Sequence, residues 1–391
     1  GVADAGNSRA AADTTAVALE NVRVIAELED RVKARTAELE ARNRELSAAN
    51  HELLAAYQQA DRVFAAYAKA LPGTVLDGKY RLEKELGSGG FGVVFQGWHL
   101  VLDCPIAIKV FRPIPGNDSA HDLQRFLREG AAAARLKHPN AVHVLDSGVS
   151  SGGVAFLIME LLRGRSLAQT LAAEGAFTLR RAAEIARSIA SVLDMAHRQG
   201  VLHRDIKPHN IFLHESSEGE VVKVVDFGLA KFFGEHDQVT PRSQLTRTGE
   251  FLGTPSFVAP ERVAGQGDDV RSDVFSLGAV LYEMICGVSP WTRQQQLEHF
   301  LGTKQGWQPR PMSEIRRGVP PELESLVAAA LAFDRAERPS AEQFALALTA
   351  LIRRLDDAPP ELLISYHFDE PAAAATEKRD DRSPLEASVR G

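Results

Sequence analysis

The residues best suited to chemistry lie in two short runs. His203-Arg204-Asp205-Ile206-Lys207-Pro208-His209-Asn210 sets a carboxylate five residues ahead of an amide. Asp205 can take the proton of an incoming hydroxyl, and Asn210 can bind a metal that also bridges phosphates. Further along, Val224-Val225-Asp226-Phe227-Gly228 supplies a second carboxylate for such an ion. Magnesium suits this pair, because it takes few protein oxygens and completes its octahedron with phosphates and water. A structural alternative exists for each run: His-Arg-Asp can be a capping turn and Asp-Phe-Gly an ordinary loop. Their occurrence in this order, behind two further motifs, favours phosphoryl transfer.

The first of those motifs is Leu86-Gly87-Ser88-Gly89-Gly90-Phe91-Gly92-Val93-Val94, a Gly-x-Gly-x-x-Gly-x-Val loop. The same glycine spacing opens dinucleotide-binding folds, but there a helix follows the third glycine. Here Val93-Val94-Phe95 continues as a β-branched and aromatic strand, which puts the glycines in a hairpin. Such a hairpin lays backbone N–H groups over phosphate oxygens, since no Cβ blocks the approach. The second motif is Ala107-Ile108-Lys109-Val110, a lysine within an apolar strand. A cation there needs a partner, unless it is an edge-strand lysine with its head in water. The functional assignment has Lys109 on the α- and β-phosphates, fixed by a helix glutamate. Phe126-Leu127-Arg128-Glu129, opening an Ala-rich helix ahead of the His138-Pro139-Asn140 turn, offers Glu129 for that purpose.

An ordered domain must hold these groups, and residues 80–355 have the pattern for one. Strand-like alternation comes first and helix-like periodicity later, with a boundary near Met159–Arg163. A composition of 45 % hydrophobic and 25 % charged residues reads as globular. A formal net charge of −7 gives no general affinity for nucleic acid or anionic lipid. Cys104 and Cys286 lie far apart, with no paired spacing for zinc or redox work, which fits a reducing, cytoplasmic compartment. No apolar run reaches the roughly 18 residues needed to cross a bilayer. The start carries no secretory h-region, and it opens on Gly1, as a fragment or a processed form would.

Residues 1–17 have little to bury and are expected to be disordered. Residues 18–71 read as a helix, with no Gly and no Pro between Ala18 and Ala70. Apolar residues recur every seven positions at Ile25, Val32, Leu39, Leu46 and Leu53, continued by Ala60 and Tyr67. The companion row, Leu28, Arg35, Arg42, Ala49, Ala56 and Val63, is mixed. One strong and one weak row suit the narrow seam of a parallel dimeric coiled coil. A single helix folded back on the domain, or a solvated helix laced with i,i+4 ion pairs, also fits the weak row. Leu71-Pro72-Gly73 ends the helix. Residues 356–391 are expected to be an acidic flexible tail.

In combination, the motifs from Tyr80 to about Leu355 resemble the eukaryotic-like (Hanks-type) serine/threonine protein kinase domain of bacteria. The resemblance implies an α+β fold of two lobes. A mostly antiparallel sheet with one helix would cover 80–158, and a mainly helical lobe 163–355, with ATP between them. It implies ATP and Mg²⁺ as cofactors, with Asp205, Lys207, Asn210 and Lys109 catalytic, and Asn210 and Asp226 on the metal. The loop residues Leu86 to Val94, with Ala107, Lys109 and Glu129, would line the nucleotide site. Met159 would be its gatekeeper, Glu160-Leu161-Leu162 its hinge, and Phe212 its floor. Glu261 of Ala259-Pro260-Glu261 would pair with Arg338, and Asp273 would brace the catalytic loop. Lys207 follows the serine/threonine pattern, and Gly253-Thr254-Pro255 offers a threonine to the catalytic aspartate and lysine. Thr246-Arg247-Thr248-Gly249 resembles a doubly phosphorylated Thr-x-Thr-Gly, for which Arg204 would be the cation. The departures are Phe212 for a usual leucine, Phe257 for tyrosine and His209 for glutamate; none removes a charge that the chemistry needs.

A binding module that keeps this fold without transfer would lack one of Lys109, Asp205, Asn210 or Asp226. A small-molecule phosphotransferase would not need the long segment from Asp226 to Glu261. Expected partners are protein substrates, a second copy through the 18–70 helix, and a sensory domain upstream of Gly1, because the helix resembles linkers behind such domains. Neither nucleic acid nor a membrane span within the chain is expected.

Overall fold

A computed structural model describes residues 2–89, 92–111, 130, 134–150, 154–227, 255–292, 295 and 308–357. The chain divides into two units, a helical segment ending at Leu71 and a domain that starts at Pro72. The helix, α1, runs Val2–Ala70. It begins well ahead of the expected start at Ala18, so the opening residues are helical and not disordered. Ala3, Ala5, Ala10, Ala11 and Ala12 explain the difference, since alanine is the strongest helix former. Along it Ile25, Val32, Leu39 and Leu46 are each more than half exposed, at 55 %, 63 %, 53 % and 56 %. No described helix is long and apolar enough to cross a membrane.

The domain opens with β1 (Val75–Leu76), β2 (Tyr80–Gly89), β3 (Gly92–His99), β4 (Cys104–Phe111), β5 (Val144–Val149) and β6 (Ala155–Glu160). They form one antiparallel sheet in the order β1-β2-β3-β4-β6-β5. β4 sits between β3 and β6, and its apolar run Ile106, Ala107, Ile108, Val110 and Phe111 is buried, as a central strand requires. A second sheet joins β7 (Gly164–Ser166), β8 (Ile211–Ser216) and β9 (Gly219–Val224) in that order.

Helices make up the rest: α2 (Leu167–Glu174), α3 (Leu179–Arg198), α4 (Val270–Cys286), α5 (Pro321–Ala330) and α6 (Ala341–Asp357). α3 buries one face, through Ile185, Ile189, Val192 and Leu193, and packs against α4 and α6. α4 is buried on nearly every side, which its sequence allows because its buried polar groups Asp273, Ser276 and the Tyr282 hydroxyl all find partners. Cys286, at its end, is buried, and burial pushes its thiol up to about 12, so no thiolate forms near neutrality.

The deepest ion pair joins the one-turn helix Pro260–Val263 to the end of the domain. Arg338 Nη1 and Nη2 donate to Glu261 Oε1 and Oε2 at 2.7 and 2.8 Å, with side chains 0 % and 5 % exposed. The guanidinium also donates to the carbonyls of Ala332 and Phe333, and its Cζ lies 4.9 Å from the Phe275 ring centroid. Burial would push the Glu261 carboxyl up, but Arg338 and the Ser272 hydroxyl outweigh it and hold it below the usual range. Glu261→Gln leaves Arg338 buried with its charge unpaired, which is expected to cost about 3–5 kcal/mol of stability. Urea denaturation at pH 7 measures it, and a midpoint equal to wild type would show that the pair does not hold the lobe together.

Candidate active site

The catalytic run lies between the end of α3 and β8, and its backbone is held from below by α4. Asp269 caps that helix by accepting from Arg271 N–H, which leaves Asp273 in the first turn facing the loop. Asp273 Oδ2 accepts from His203 N–H at 2.9 Å and Oδ1 from Arg204 N–H at 2.8 Å. Oδ2 is also 2.9 Å from His197 Nε2. Burial would push the Asp273 carboxyl up, but the His197 ring and the contacts with His203 hold it below its usual value. So clamped, Arg204 adopts φ 70°, a left-handed conformation that a non-glycine residue takes only when its surroundings impose it.

That bend presents Asp205. Its Oδ2 is 2.8 Å from Lys207 Nζ and accepts from Asn210 Nδ2 at 2.8 Å. Asn210 Nδ2 also donates to the Asp205 carbonyl at 2.7 Å. The amide nitrogen is therefore spent on Asp205, and Asn210 Oδ1 is the acceptor that its side chain has left to offer. His203 ties this loop to the next one. Its Nδ1 accepts from Asp205 N–H at 3.2 Å and its Nε2 lies 2.9 Å from the Val225 carbonyl. Full burial lowers the His203 pKa, and one donating and one accepting nitrogen is the pattern of a neutral imidazole. The Phe227 ring packs edge-on against it at 4.6 Å.

Asp226 follows with φ 66°, a second left-handed non-glycine position. Its Oδ1 is 2.6 Å from Lys109 Nζ, a buried cation on the central strand β4. Asp226 and Asn210 are the residues that would hold Mg²⁺, since carboxylate and amide oxygens are the donors that ion prefers. Above the cleft, β2 and β3 pair Gly87 with Val94 and Gly89 with Gly92, so the glycines do lie in a hairpin. Gly92 has φ 151°, and a Cβ there would sit 2.1 Å from the Val110 carbonyl oxygen, so no other residue fits.

Met159 faces Ala107 across the β4–β6 ladder, and both are buried. Behind Met159 the walls Leu136, Val144, Leu157 and Phe227 leave about 10 Å³, room for a single water at most. The side chain of Glu160, the first residue of the expected hinge, is engaged within the protein. Its Oε1 accepts from His143 N–H at 2.8 Å and from Lys223 Nζ at 2.7 Å, so its side chain ties the hinge to β9. Only the backbone of Glu160 to Leu162 is left to meet a base. Phe212 lies on β8, paired with Ser166 and Lys223. Gly90, Phe91, Glu129, Gly228, Thr246, Thr248, Gly253 and Thr254 lie outside the described residues. The Lys109–Glu129 pair and the activation-segment threonines are therefore not placed.

Sequence reasoning left Arg204 with no counter-ion but a future phosphate; the structure supplies one. Arg204 Nε is 2.9 Å from Asp268 Oδ2, and Asp268 Oδ1 is 2.9 Å from Arg262 Nε. Asp268 carries no motif, and beside the capping Asp269 it reads as one more polar loop residue. Lys223 was missed for the same reason. The His-Pro-Asn turn anchors the sheet lobe to α3 and β9, through His138 Nε2 with Ser191 Oγ (3.1 Å) and Asn140 Nδ2 with the Val222 carbonyl (2.9 Å).

Comparison with known proteins agrees with this geometry. The family model for the protein kinase domain matches residues 80–347. The serine/threonine-protein kinase pkn3 of Myxococcus xanthus is 38 % identical over 289 residues, covering 72 % of this chain and 52 % of pkn3. PknL of Mycobacterium tuberculosis, also a serine/threonine-protein kinase, is 35 % identical over 268 residues, covering 68 % of this chain and 64 % of PknL. The chain thus spans about half to two thirds of the length of these relatives. The crystal structure of the Mycobacterium tuberculosis PknI kinase domain superposes with a TM-score of 0.55 at 27 % identity, covering 71 % of this chain and 98 % of that domain.

Proposed function

The chain belongs to the protein kinase family, and from that premise we propose that it transfers the γ-phosphoryl group of ATP to serine and threonine hydroxyls of proteins, itself included, in bacterial signalling. The observation that carries this reading is the single hydrogen-bonded network joining Asp205, Asn210, Asp226 and Lys109. Asp205 accepts the proton of the incoming hydroxyl, and Lys207 Nζ, 2.8 Å away, holds that carboxylate in its direction. Lys109 takes the α- and β-phosphates, with Glu129 as its proposed anchor. The hinge backbone holds the adenine, over Phe212. Asn210 Oδ1 and Asp226 hold Mg²⁺, which when bound neutralises charge on the phosphates. Most of the rate enhancement is positioning and charge neutralisation.

Thr246 and Thr248 are the proposed sites of autophosphorylation, and Thr254 is proposed to bond the catalytic loop. The exposed seven-residue row of α1 supports a parallel homodimer, since Ile25, Val32, Leu39 and Leu46 in water are unfavourable unless a second copy covers them. A sensory domain ahead of the helix is proposed by analogy with signalling linkers. The two free cysteines fit a cytoplasmic setting.

Lys109→Met is expected to abolish autophosphorylation while leaving the circular dichroism spectrum unchanged. Mass spectrometry of the wild type after Mg²⁺-ATP should find phosphate on Thr246 or Thr248. A rate within about threefold of wild type, under 1 kcal/mol of barrier, would remove Lys109 from the mechanism. Sedimentation should show the full chain as a dimer at micromolar concentration and a chain starting at Leu76 as a monomer. Tethering would raise the effective concentration of one domain for the other toward millimolar; a monomeric full chain would end the dimer proposal.

A further inference from the structure

The loop between Glu261 and α4 carries a charge arrangement that none of the shared catalytic motifs accounts for. Asp268 divides its two oxygens between two guanidinium groups, Oδ2 to Arg204 Nε and Oδ1 to Arg262 Nε, each at 2.9 Å. Arg262 closes the ring by donating through Nη1 to the backbone carbonyl of Arg204. That carbonyl belongs to the peptide bond that leads into Asp205. Gly265 and Gly267, at φ 67° and 86°, bend the loop back so that Asp268 reaches the catalytic run.

The cluster is half sheltered: the side chains of Arg204, Asp268 and Arg262 are 15 %, 25 % and 24 % exposed. Ion pairs in such a setting are less screened than surface pairs, and the Arg204 charge needs compensation there. The Arg204 Nε–H is buried and points off the line to Asp268, so among the described residues this is a close ion pair without a directed hydrogen bond. Asp268 therefore balances the charge of Arg204 yet leaves hydrogen-bonding capacity on it.

We propose that Asp268 is a positioning residue for phosphoryl transfer, a resident counter-ion that holds Arg204 and, with Arg262, the backbone carrying the base Asp205, before any phosphate is added to the activation segment. A phosphate on Thr246 or Thr248 then meets an Arg204 already in place and adds to its hold; it does not assemble the loop from a disordered state. The inference rests on the transfer activity proposed above and is independent of which threonine is modified. Wild type inactive under all conditions would be a failure of that activity and would appear as such.

The test uses the full chain, as purified and after phosphatase treatment, with initial rates toward a generic protein substrate. Phosphatase-treated wild type should be active. Asp268→Asn keeps the shape and removes the charge; its kcat in the treated state should fall about tenfold, the size of one lost charge-assisted contact. Its KM for ATP should stay within error of wild type, because the nucleotide contacts have not changed. Asp268→Glu should recover most of the kcat. A treated wild type that is inactive while the untreated form is active would overturn the proposal. So would an unchanged kcat in Asp268→Asn, or equal losses in both variants, with or without a fall in the unfolding midpoint.

Discussion

Asp273 is 2 % exposed at the first turn of α4, and a carboxylate in that position would be driven to its neutral form if it stood alone. The backbone N–H groups of His203 and Arg204 and the His197 ring keep it charged. The same bonds act in the other direction. A left-handed non-glycine residue costs of order 1–3 kcal/mol, and Arg204 holds that conformation because two directed hydrogen bonds from a fixed helix end over-determine it. Asp205 is then presented by geometry that the fold has already stabilised. The helix end is fixed in turn by its capping aspartate and by a core that surrounds α4 on nearly every side.

From that anchor, order spreads through His203. A neutral ring that receives Asp205 N–H on one nitrogen and gives its other N–H to the Val225 carbonyl makes the runs that carry Asp205 and Asp226 parts of one frame. Asp226 then reaches across to Lys109 on the central strand, and Glu160 reaches back to Lys223 on β9. The sheet lobe and the helical lobe are thus joined on both sides of the cleft by ion pairs, and at its rear by the His138-Pro139-Asn140 turn.

The reach of the sequence can be judged at particular residues. Asp205, Asn210, Asp226, Lys109 and the glycine hairpin were legible because their chemistry needs fixed types at fixed spacings. The Glu261–Arg338 pair and the Asp273 brace were legible only through family resemblance, since nothing in local pattern tells a buried carboxylate from a solvated one. Asp268, Lys223 and the remote partners of the turn at Asn140 were not legible. Each acts through a partner remote in sequence, and a polar residue in a loop leaves no periodic signal. The start of α1 was misjudged for a different reason: low hydrophobicity suggested disorder, while alanine propensity favours helix over the same residues. Glu160 shows a third kind of limit, since the direction of its side chain depends on Lys223, remote in sequence.

Amide hydrogen exchange across residues 201–207, compared between wild type and Asp273→Asn, tests the central claim most directly. An asparagine can accept at one oxygen only, so one of the two loop amides loses its partner and Arg204 loses part of what holds it. A hydrogen bond to a charged group contributes about 1.5–3 kcal/mol, so exchange in that segment should accelerate roughly tenfold or more. Exchange in α6 should stay as it is in wild type. Unchanged exchange in 201–207, or acceleration spread evenly through the helical lobe, would contradict the claim that this carboxylate holds the catalytic loop.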